Sequence, residues 1–310
     1  MVIEVNNLVK RYKEVLALDH FDLKVKEGEI LGLLGPNGCG KTTAIHSILS
    51  LLKYDKGEIS LFGRPMSPTA YELKQHIGLV PQEVAYFQHL TVRENIDYFC
   101  SMYVPDKTRR KEQVEKALSF VGLEDYAKFF PAKLSGGLKR RLNIACGIAH
   151  EPKLIFMDEP TVAVDAQSRN FILEGIKRLN REGATILYTT HYLDEAEQLC
   201  TRIVIMDHGR NVAQGTNEEL KNLISTREII HLKVLNLSDE ARQDLSSLPH
   251  LAELKINGNE LELSFERGSN NLADLVRFLD KHSLAYEKLY SKQPSLNEVF
   301  LALTGKELRD

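Results

Sequence analysis

Residues Gly35 to Thr43 read Gly-Pro-Asn-Gly-Cys-Gly-Lys-Thr-Thr, between an apolar run, Ile30 to Leu34, and a helix-like stretch, Ala44 to Leu52. The glycines let backbone amides converge on an anion without obstruction by Cβ atoms. Lys41 supplies a charge for the outer phosphates of a nucleotide, and the Thr42 hydroxyl can hold a magnesium ion. A glycine-rich turn that only reverses the chain does not require this Lys-Thr pair. The order strand, loop, helix therefore predicts a phosphate-binding loop in an α/β fold.

The bulk composition is that of an ordinary globular protein, with 310 residues, 43% apolar and 27% charged, and a formal net charge of -3. A chain of this length suits two domains. No basic block indicates a nucleic-acid partner, and no apolar run approaches the roughly 20 residues that a membrane helix requires. Because the N-terminus lacks the features of a signal peptide, we expect a cytoplasmic location.

The cysteines are widely spaced and match neither a zinc site nor a disulfide framework. Cys39 differs from the others because it lies inside the phosphate loop. A helix N-terminus lowers the pKa of a thiol, so Cys39 is a candidate for alkylation, although scattered reduced thiols are the simpler interpretation.

A second apolar run, Leu154 to Met157, is followed directly by Asp158 and Glu159. Such a run is typical of a strand buried on both faces of a parallel sheet, and ligands bind at the carboxyl ends of such strands. Asp158 can hold magnesium through its water shell, and Glu159 can orient or deprotonate an attacking water. Two acidic residues could instead form a solvated strand cap. Together with Lys41 and magnesium, however, they suffice for phosphoryl transfer.

A third motif, Leu134-Ser-Gly-Gly-Leu-Lys-Arg-Arg141, precedes the acidic strand. Ser135, Gly136 and Gly137 offer a hydroxyl and backbone amides at the start of a predicted helix, Leu138 to Ala149. The chain therefore has a second candidate anion site, which need not serve the nucleotide held by the first loop.

These motifs together resemble the nucleotide-binding subunit of ATP-binding cassette (ABC) transporters, over residues 1 to about 220. Seven elements follow the order of that family: an adenine-stacking aromatic (Tyr12), the phosphate loop, the glutamine loop (Gln82), the signature (Leu134 to Gly137), the acidic strand (Asp158 and Glu159), the loop bearing Asp165, and the switch histidine (His191). The resemblance implies that two such subunits, identical or related, sandwich two ATP molecules. Each ATP would then contact the phosphate loop of one chain and the signature of the other.

The residue chemistry and the resemblance together define the candidate site. Catalysis is expected from Glu159, His191, Gln82 and Asp165. Binding of ATP is expected from Tyr12, Gly35, Asn37, Gly38, Cys39, Gly40, Lys41, Thr42, Thr43, Ser135, Gly136 and Gly137. Binding of Mg²⁺ is expected from Thr42, Gln82 and Asp158. Taken singly, Tyr12 could be a core aromatic, Gln82 a polar strand cap and His191 a structural histidine.

Three positions depart from the pattern of the family. Leu138 stands where glutamine is common, so a polar contact from that side chain across the dimer is absent. Ala163 and Ala166 stand where related chains often have glycine and proline. Because alanine does not freely adopt positive φ, we expect a changed geometry or opening rate in the loop that bears Asp165.

The predicted domain organisation is an ABC ATPase domain, residues 1–220, followed by an accessory domain, residues 221–310. Within the first, helical periodicity over residues 92–150 predicts a helical subdomain inserted into a mixed-sheet core. The second has the βαββαβ order of a ferredoxin-like α+β unit, with Asn257-Gly258 as a hairpin turn. A final helix, Ser295 to Leu303, begins with a capping box, Ser295 and Glu298.

The chain end, Leu296 to Gly305, resembles the end of subunits that serve bacterial exporters whose membrane domains are separate chains. The expected function is an ATPase that powers such an exporter from the cytoplasmic face of the membrane, through permease partners and without nucleic acid. A soluble ABC-type ATPase acting on DNA or ribosomes is the alternative. A P-loop kinase or GTPase is disfavoured, because the GTPase tetrapeptide Asn-Lys-x-Asp does not occur.

Overall fold

The computed structural model describes residues 1–224, 227–266, 270–292 and 294–305. It divides into two compact units, one formed by Met1–Asn217 with the chain end from Leu303, and one formed by Glu218–Ala302. Within the described residues, no helix is both long and apolar enough to cross a membrane.

The first unit is an alternation of strands and helices. In chain order these are β1 (Ile3–Tyr12), β2 (Val15–Val25), β3 (Ile30–Leu34), α1 (Lys41–Ile48), β4 (Lys56–Leu61), β5 (Arg64–Pro65), α2 (Tyr71–Lys74), β6 (Ile77–Val80), α3 (Val92–Ser101), α4 (Lys107–Val121), α5 (Gly136–Ile148), β7 (Leu154–Asp158), α6 (Ala166–Arg181), β8 (Thr185–Thr190), α7 (Leu193–Leu199), β9 (Arg202–Asp207) and β10 (Arg210–Gly215). Two short 3-10 turns, Glu124–Tyr126 and Pro131–Lys133, precede α5.

Two sheets form the frame of this unit. The larger has the order β10-β9-β3-β8-β7-β6, in which β9, β3, β8, β7 and β6 run parallel and β10 is antiparallel. The smaller is antiparallel, with the order β2-β1-β4-β5. The mixed-sheet core predicted from the sequence is therefore confirmed.

The central strands are buried on both faces, as their continuous apolar sequences predict. Along β7, Ile155 and Met157 pack into a core with α3 to α6, whereas Leu154 and Phe156 pack into a second core with α1 and the antiparallel sheet. The predicted helical insertion corresponds to α3, α4 and α5. Side-chain caps from Thr91, Asp106 and Ser135 start these helices.

Several element boundaries differ from those predicted. The alternating patterns at Ile3 to Leu8 and Phe21 to Val25 predict two short strands, but β1 and β2 are longer because they continue as a hairpin in which Tyr12 pairs with Val15. Helix α1 begins at Lys41 rather than Ala44, and α5 begins at Gly136 rather than Leu138. The Ser135 side chain accepts a hydrogen bond from the Leu138 amide, so the two signature glycines already lie in the first helical turn.

The second unit follows α8 (Asn217–Ile224), which spans the boundary between the units. Its elements are β11 (Arg227–Val234), α9 (Asp239–Leu245), β12 (Leu251–Asn257), β13 (Glu260–Glu266), α10 (Asn271–Lys281), β14 (Tyr286–Lys292) and α11 (Leu296–Thr304). The antiparallel sheet has the order β12-β13-β11-β14, and the predicted βαββαβ order is confirmed. In the predicted accessory domain, residues 225–226, 267–269, 293 and 306–310 lie outside the described residues.

Local sequence signals explain how two of these elements begin or turn. Gly258, in the turn between β12 and β13, has φ 63, which suits the predicted Asn-Gly hairpin. The capping box before α11 is confirmed, since the Ser295 amide donates to the Glu298 carboxylate and the Glu298 amide donates to the Ser295 hydroxyl.

Candidate nucleotide-binding site

The candidate site lies at the carboxyl ends of β3, β7 and β8, which run parallel and adjacent. Leu34 pairs with Thr190, and Asp158 pairs with Thr189. The phosphate loop follows β3, Glu159 follows β7, and His191 follows β8. The phosphate loop therefore meets, at one sheet edge, two motifs that follow it by more than a hundred residues in the sequence.

The glycines of the phosphate loop are required by close backbone approach and by positive φ. A Cβ atom on Gly35 would lie 2.3 Å from the Met206 carbonyl oxygen, closer than any packed structure allows. Gly40 has φ 113, and a Cβ atom there would lie 2.5 Å from the Ala17 carbonyl oxygen. Gly38 has φ 80, at an exposed turn. Only glycine satisfies these constraints without strain.

The Lys41 side chain is buried at the start of α1. Its Nζ donates hydrogen bonds to the carbonyl oxygens of Gly35 (2.7 Å) and Pro36 (3.2 Å). The same nitrogen forms an ion pair with Glu159 Oε1 at 3.0 Å, and both side chains are about 5% exposed. The ammonium therefore joins the phosphate loop to the acidic strand through a desolvated contact.

Asp158 is held by two hydroxyl groups from neighbouring segments. Thr42 Oγ1 donates to Asp158 Oδ2 at 2.7 Å, and Thr189 Oγ1 donates to Oδ1 at 2.6 Å. Hydroxyl and carboxylate oxygens are ligands that magnesium prefers, and Mg²⁺ typically binds one or two protein groups together with substrate phosphates. The adjacent oxygens of Thr42 and Asp158 therefore fit the predicted ion.

Gln82, the third predicted magnesium ligand, lies on an exposed segment after β6. Within the described residues, the hydrogen bonds of Gln82 involve only its backbone carbonyl, which accepts from Arg140. The structure thus joins Thr42 and Asp158 by a hydrogen bond, and within the described residues it shows none from the Gln82 amide to either of them.

Glu159 is the most constrained of the predicted catalytic residues. Its Oε2 lies 3.0 Å from His191 Nδ1, and the His191 side chain is 7% exposed. The Glu159 amide donates to Thr189 Oγ1 at 2.9 Å. Its backbone φ is 45, a left-handed value that a glutamate rarely adopts. Outliers of this kind persist only where the surroundings over-determine them, and they cluster at functional sites.

Arg140, one turn into α5, was not assigned by the sequence analysis. Its buried guanidinium donates from Nη1 to the carbonyl oxygens of Pro81 and Gln82, and from Nη2 to that of Glu159 at 2.7 Å. Burial lowers the pKa of Arg140 from the ordinary arginine value, and nearby negative charge, chiefly on Asp158, opposes that shift. The only sequence signal was the Arg-Arg pair that ends the third motif.

Glu195 in α7 is a second buried residue that the sequence analysis missed. Its carboxylate accepts hydrogen bonds from the hydroxyl groups of Thr161 (2.9 Å), Tyr188 (2.6 Å) and Thr190 (3.0 Å). It therefore connects the start of the Asp165 loop to the residue before His191. The sequence around Glu195, four residues after His191 in an otherwise ordinary helix, does not predict this role.

The signature residues pack against the loop that bears Asp165. A Cβ atom on Gly137 would lie 2.1 Å from Ser168 Oγ and 3.1 Å from Asp165 Oδ2. The exposed Asp165 carboxylate caps α6, accepting from the amide and the hydroxyl of Ser168 at 2.8 Å each. Those hydrogen bonds hold the pKa of Asp165 below its ordinary value. Within this chain, Asp165 serves as an N-cap.

The three departures from the family pattern have distinct structural consequences. Ala163 adopts φ 59, the left-handed conformation that glycine takes without strain. Ala166 is the first residue of α6, a position where proline is favoured but not required. Leu138, in the first turns of α5, is partly buried and packs against the core that includes α3 to α6.

Cys39 and Tyr12 border the loop in different environments. Burial raises the pKa of the Cys39 thiol to about 11, and this effect outweighs the opposing influence of Lys41. Burial and the raised pKa therefore disfavour alkylation of Cys39 and favour the simpler interpretation of a reduced, unreactive thiol. Tyr12 is 45% exposed, at the tip of the hairpin whose second strand contacts Gly40 through Ala17. Its ring is not a core aromatic.

Comparison with known proteins identifies families for both units. The family described as ABC transporter matches residues 18–162, and a family described as ATP-binding protein DrrA1-3-like, C-terminal domain, matches residues 215–304.

Two curated relatives align over the whole chain. The linearmycin resistance ATP-binding protein LnrL of Bacillus subtilis is 37% identical over 311 residues, covering 100% of both chains. The Nod factor export ATP-binding protein I of Sinorhizobium fredii is 33% identical over 312 residues, covering 100% of this chain and 88% of its own length.

A solved structure matches the first unit. The dimeric ATP-binding cassette MJ0796, in a post-hydrolysis state with ADP and Pi, superimposes with a TM-score of 0.64 and 28% identity. The match covers 69% of this chain and 98% of that one.

Proposed function

This chain belongs to the ATP-binding cassette (ABC) family, as an ATP-hydrolysing transporter subunit, and from that premise we propose how its residues bind and hydrolyse ATP to drive export. The observation that carries the proposal is the convergence of Lys41, Asp158, Glu159 and His191 at one sheet edge, within the hydrogen-bond distances given above. Such a set can position a phosphate chain, neutralise its charge and activate water.

Binding begins at the phosphate loop. The loop amides and Lys41 contact the phosphates, while Thr42 and Asp158 hold Mg²⁺. When bound, Mg²⁺ neutralises charge on the outer phosphates. A phosphate that engages Lys41 competes with Glu159 for the ammonium, because the two groups form a direct ion pair in this structure. Binding therefore releases the Glu159 carboxylate from Lys41.

Hydrolysis then uses Glu159 and His191. Glu159 accepts the proton of a water whose oxygen bonds to the γ-phosphorus as the bond to ADP breaks. His191, hydrogen-bonded to Glu159 through Nδ1, fixes the carboxylate and faces the γ-phosphate with its other nitrogen. Gln82 and Asp165 contribute to catalysis beside Glu159 and His191, and Tyr12 stacks on the adenine.

A second copy or a related subunit completes the site. We propose that Ser135, Gly136 and Gly137 of one chain face the ATP held by the phosphate loop of the other. The signature lies at the start of α5, where the amides of the first turn are unpaired within the helix and favour an anion. The dimeric form of MJ0796 supports this arrangement by analogy.

The membrane partner is proposed to dock on the helical region. Within residues 87–130, which include most of this region, five large apolar side chains are between 41% and 58% exposed: Phe87, Tyr98, Met102, Phe129 and Phe130. Phe87 and Tyr98 contact each other edge to face, so these two rings form a continuous apolar patch. A permease segment covering this patch would hold the chain at the cytoplasmic face of the membrane, next to the Gln82 segment.

Export is the proposed direction. The name of the Sinorhizobium relative states export and that of the Bacillus relative states resistance, and both relatives align over the whole of this chain. Co-purification of the chain from membranes tests the broader assignment, that the chain serves a membrane transporter. Recovery of polytopic membrane proteins supports it, whereas recovery of rRNA or DNA would favour the alternative of a soluble cassette acting on nucleic acid.

Two variants test the chemistry. Lys41→Ala should abolish the ATP-dependent rise in melting temperature, because the phosphates lose their buried cation. In the parent, ATP at a hundred times its dissociation constant stabilises the fold by about 2.7 kcal/mol. Glu159→Gln should lower turnover by about 10² to 10⁴ while ATP still binds. Parental hydrolysis by Glu159→Gln would overturn the catalytic assignment.

A further inference from the structure

We infer that Arg140 is a positioning residue that ties the backbone of Glu159 to the Gln82 segment, so that a displacement of that segment changes hydrolysis without changing ATP affinity. The inference rests on the proposed function, because it takes Glu159 as the group that activates water. It adds a residue for which no ligand contact is proposed.

The geometry places Arg140 between three segments. Its side chain projects from α5 and is 4% exposed. It donates to the carbonyl oxygens of Pro81 (3.0 Å) and Gln82 (2.9 Å), in the Gln82 segment (residues 81–85), and to that of Glu159 (2.7 Å), which follows the acidic strand. Asn143, nearly one turn further along α5, donates to the Pro81 carbonyl and accepts from the Ala85 amide. Helix α5 therefore hydrogen-bonds the Gln82 segment at both of its ends, Pro81 and Ala85. Of the two α5 side chains that make these contacts, Arg140 is the one that also bonds Glu159.

The chemistry of the group explains why arginine is needed. A guanidinium is planar and delocalised, and its donors point in fixed directions, so it can serve two segments at once. All three acceptors of Arg140 are neutral carbonyl oxygens, which means that the contacts fix backbone positions rather than neutralise a carboxylate. Burial lowers the pKa of the guanidinium, and the negative charge of Asp158 and Glu159 nearby opposes that shift. A lysine would keep this charge but not the fork of donors.

The backbone of Glu159 is where the contact has its effect. Its φ of 45 is costly for a residue with a Cβ atom. The Glu159 amide is fixed by Thr189, and its carbonyl is fixed by Arg140. With the carbonyl released, the residue can relax toward ordinary φ, which turns Oε2 away from His191 and from the attacking water but leaves Oε1 in contact with Lys41, so that competition with phosphate for the ammonium is unchanged. ATP contacts at the phosphate loop are untouched.

The same helix also begins with the signature. Ser135 to Gly137 form the start of α5, and Arg140 follows on the next turn. A shift of α5 on engagement of a second subunit, or a shift of the Gln82 segment on movement of the permease, therefore reaches the Glu159 carbonyl through one side chain. Arg140 thus makes water activation conditional on the position of the helical region.

The test compares Arg140→Lys and Arg140→Gln with the parent, and with Arg202→Met as a control. Arg202 is also a largely buried arginine that bonds a backbone carbonyl, of Lys24, and a carboxylate, of Glu29, but it lies outside the proposed site. The kcat, the KM for ATP and the ATP-dependent shift in melting temperature are measured for each, with kcat expressed per ATP-binding molecule.

The inference predicts that both Arg140 variants lose about 10- to 100-fold in kcat, the equivalent of one hydrogen bond to a charged donor, while KM changes by less than about threefold. Arg202→Met should melt earlier but keep its kcat. If the Arg140 variants also melt earlier and keep parental kcat per ATP-binding molecule, Arg140 is merely structural and the inference fails.

The failure of the inference and that of the proposed function are distinguishable. Normal turnover in Arg140→Lys, together with inactive Glu159→Gln, removes only the role of Arg140. Normal turnover in Glu159→Gln removes the proposed role of Glu159 itself, whatever the Arg140 variants do.

Discussion

The ion pair between Lys41 and Glu159 predicts that Glu159→Gln binds ATP more tightly than the parent. In this structure the two charged atoms are 3.0 Å apart, with both side chains buried. Phosphate oxygens need the same ammonium, so ATP must displace the carboxylate. The glutamine variant removes that competition, and it also removes a negative charge from beside the γ-phosphate.

The size of the effect follows from the geometry. Two unit charges at this distance attract by about 5 kcal/mol at an effective dielectric constant of about 20. Removing one partner of a buried pair typically costs about 3 to 5 kcal/mol. The carbonyl oxygens of Gly35 and Pro36 still accept from Lys41, and glutamine offers a neutral acceptor, so we expect about 2 kcal/mol here. This corresponds to about 30-fold tighter binding.

The assay is ATP titration in EDTA, which suppresses turnover, together with thermal unfolding of each chain without nucleotide. Glu159→Gln should melt about 4 to 8 °C lower than the parent, yet bind ATP more tightly. Glu29→Gln is the matched control, because Glu29 pairs with Arg202 at 2.9 Å away from the proposed site. It should also melt lower, with unchanged ATP affinity. Equal or weaker ATP binding by Glu159→Gln would refute the reasoning that this pair competes with phosphate.

Three further predictions concern the loops and thiols around the site. Gly137→Ala should destabilise the fold by about 1 to 3 kcal/mol in denaturant unfolding, because its Cβ atom would lie 2.1 Å from Ser168 Oγ. Gly136→Ala, where the nearest atom is 3.8 Å away, should not, and equal losses would contradict the packing argument. Ala163→Gly should stabilise the fold by about 0.5 to 1 kcal/mol, because glycine adopts the positive φ of this position without strain. Ala166→Gly is the control and should destabilise the fold, because residue 166 lies in the helix α6. The opposite order of stabilities in unfolding experiments would exclude strain at Ala163. Burial raises the pKa of all four thiols, those of Cys39, Cys100, Cys146 and Cys200. At pH 7.5 a thiol with a pKa of about 11 is ionised in roughly one molecule in three thousand, so alkylation followed by mass spectrometry should be at least about 100-fold slower in the native than in the urea-unfolded chain. Rapid labelling of any one of the four in the native chain would contradict this prediction.

The parts of the fold that were predictable are those encoded by local pattern. The continuous apolar runs at Ile30–Leu34 and Leu154–Met157 predicted buried parallel strands, and the Gly-rich loop between strand and helix predicted the sheet edge where the site forms. Polar alternation and turn residues likewise indicated the second unit. Each of these signals lies within a short segment, so a single sequence suffices to read it.

The parts that were not predictable depend on contacts between distant segments. Arg140 and Glu195 make their contacts across tens of residues, and nothing in their neighbours in sequence distinguishes them from surface charges. The pKa of Cys39 was predicted in the wrong direction, because the helix N-terminus is visible in the sequence and burial is not. The positive φ of Glu159 has no sequence signal, since only glycine announces that conformation.

The central claim is that ATP is clamped between two chains, with Gly35–Thr43 of one facing Ser135–Gly137 of the other. Light scattering of Glu159→Gln, with and without ATP, tests it most directly. The account predicts that ATP doubles the mass of this variant, and that adding Ser135→Arg returns it to a monomer that still binds ATP. If Glu159→Gln remains a monomer at ATP concentrations well above its dissociation constant for ATP, the claim is wrong.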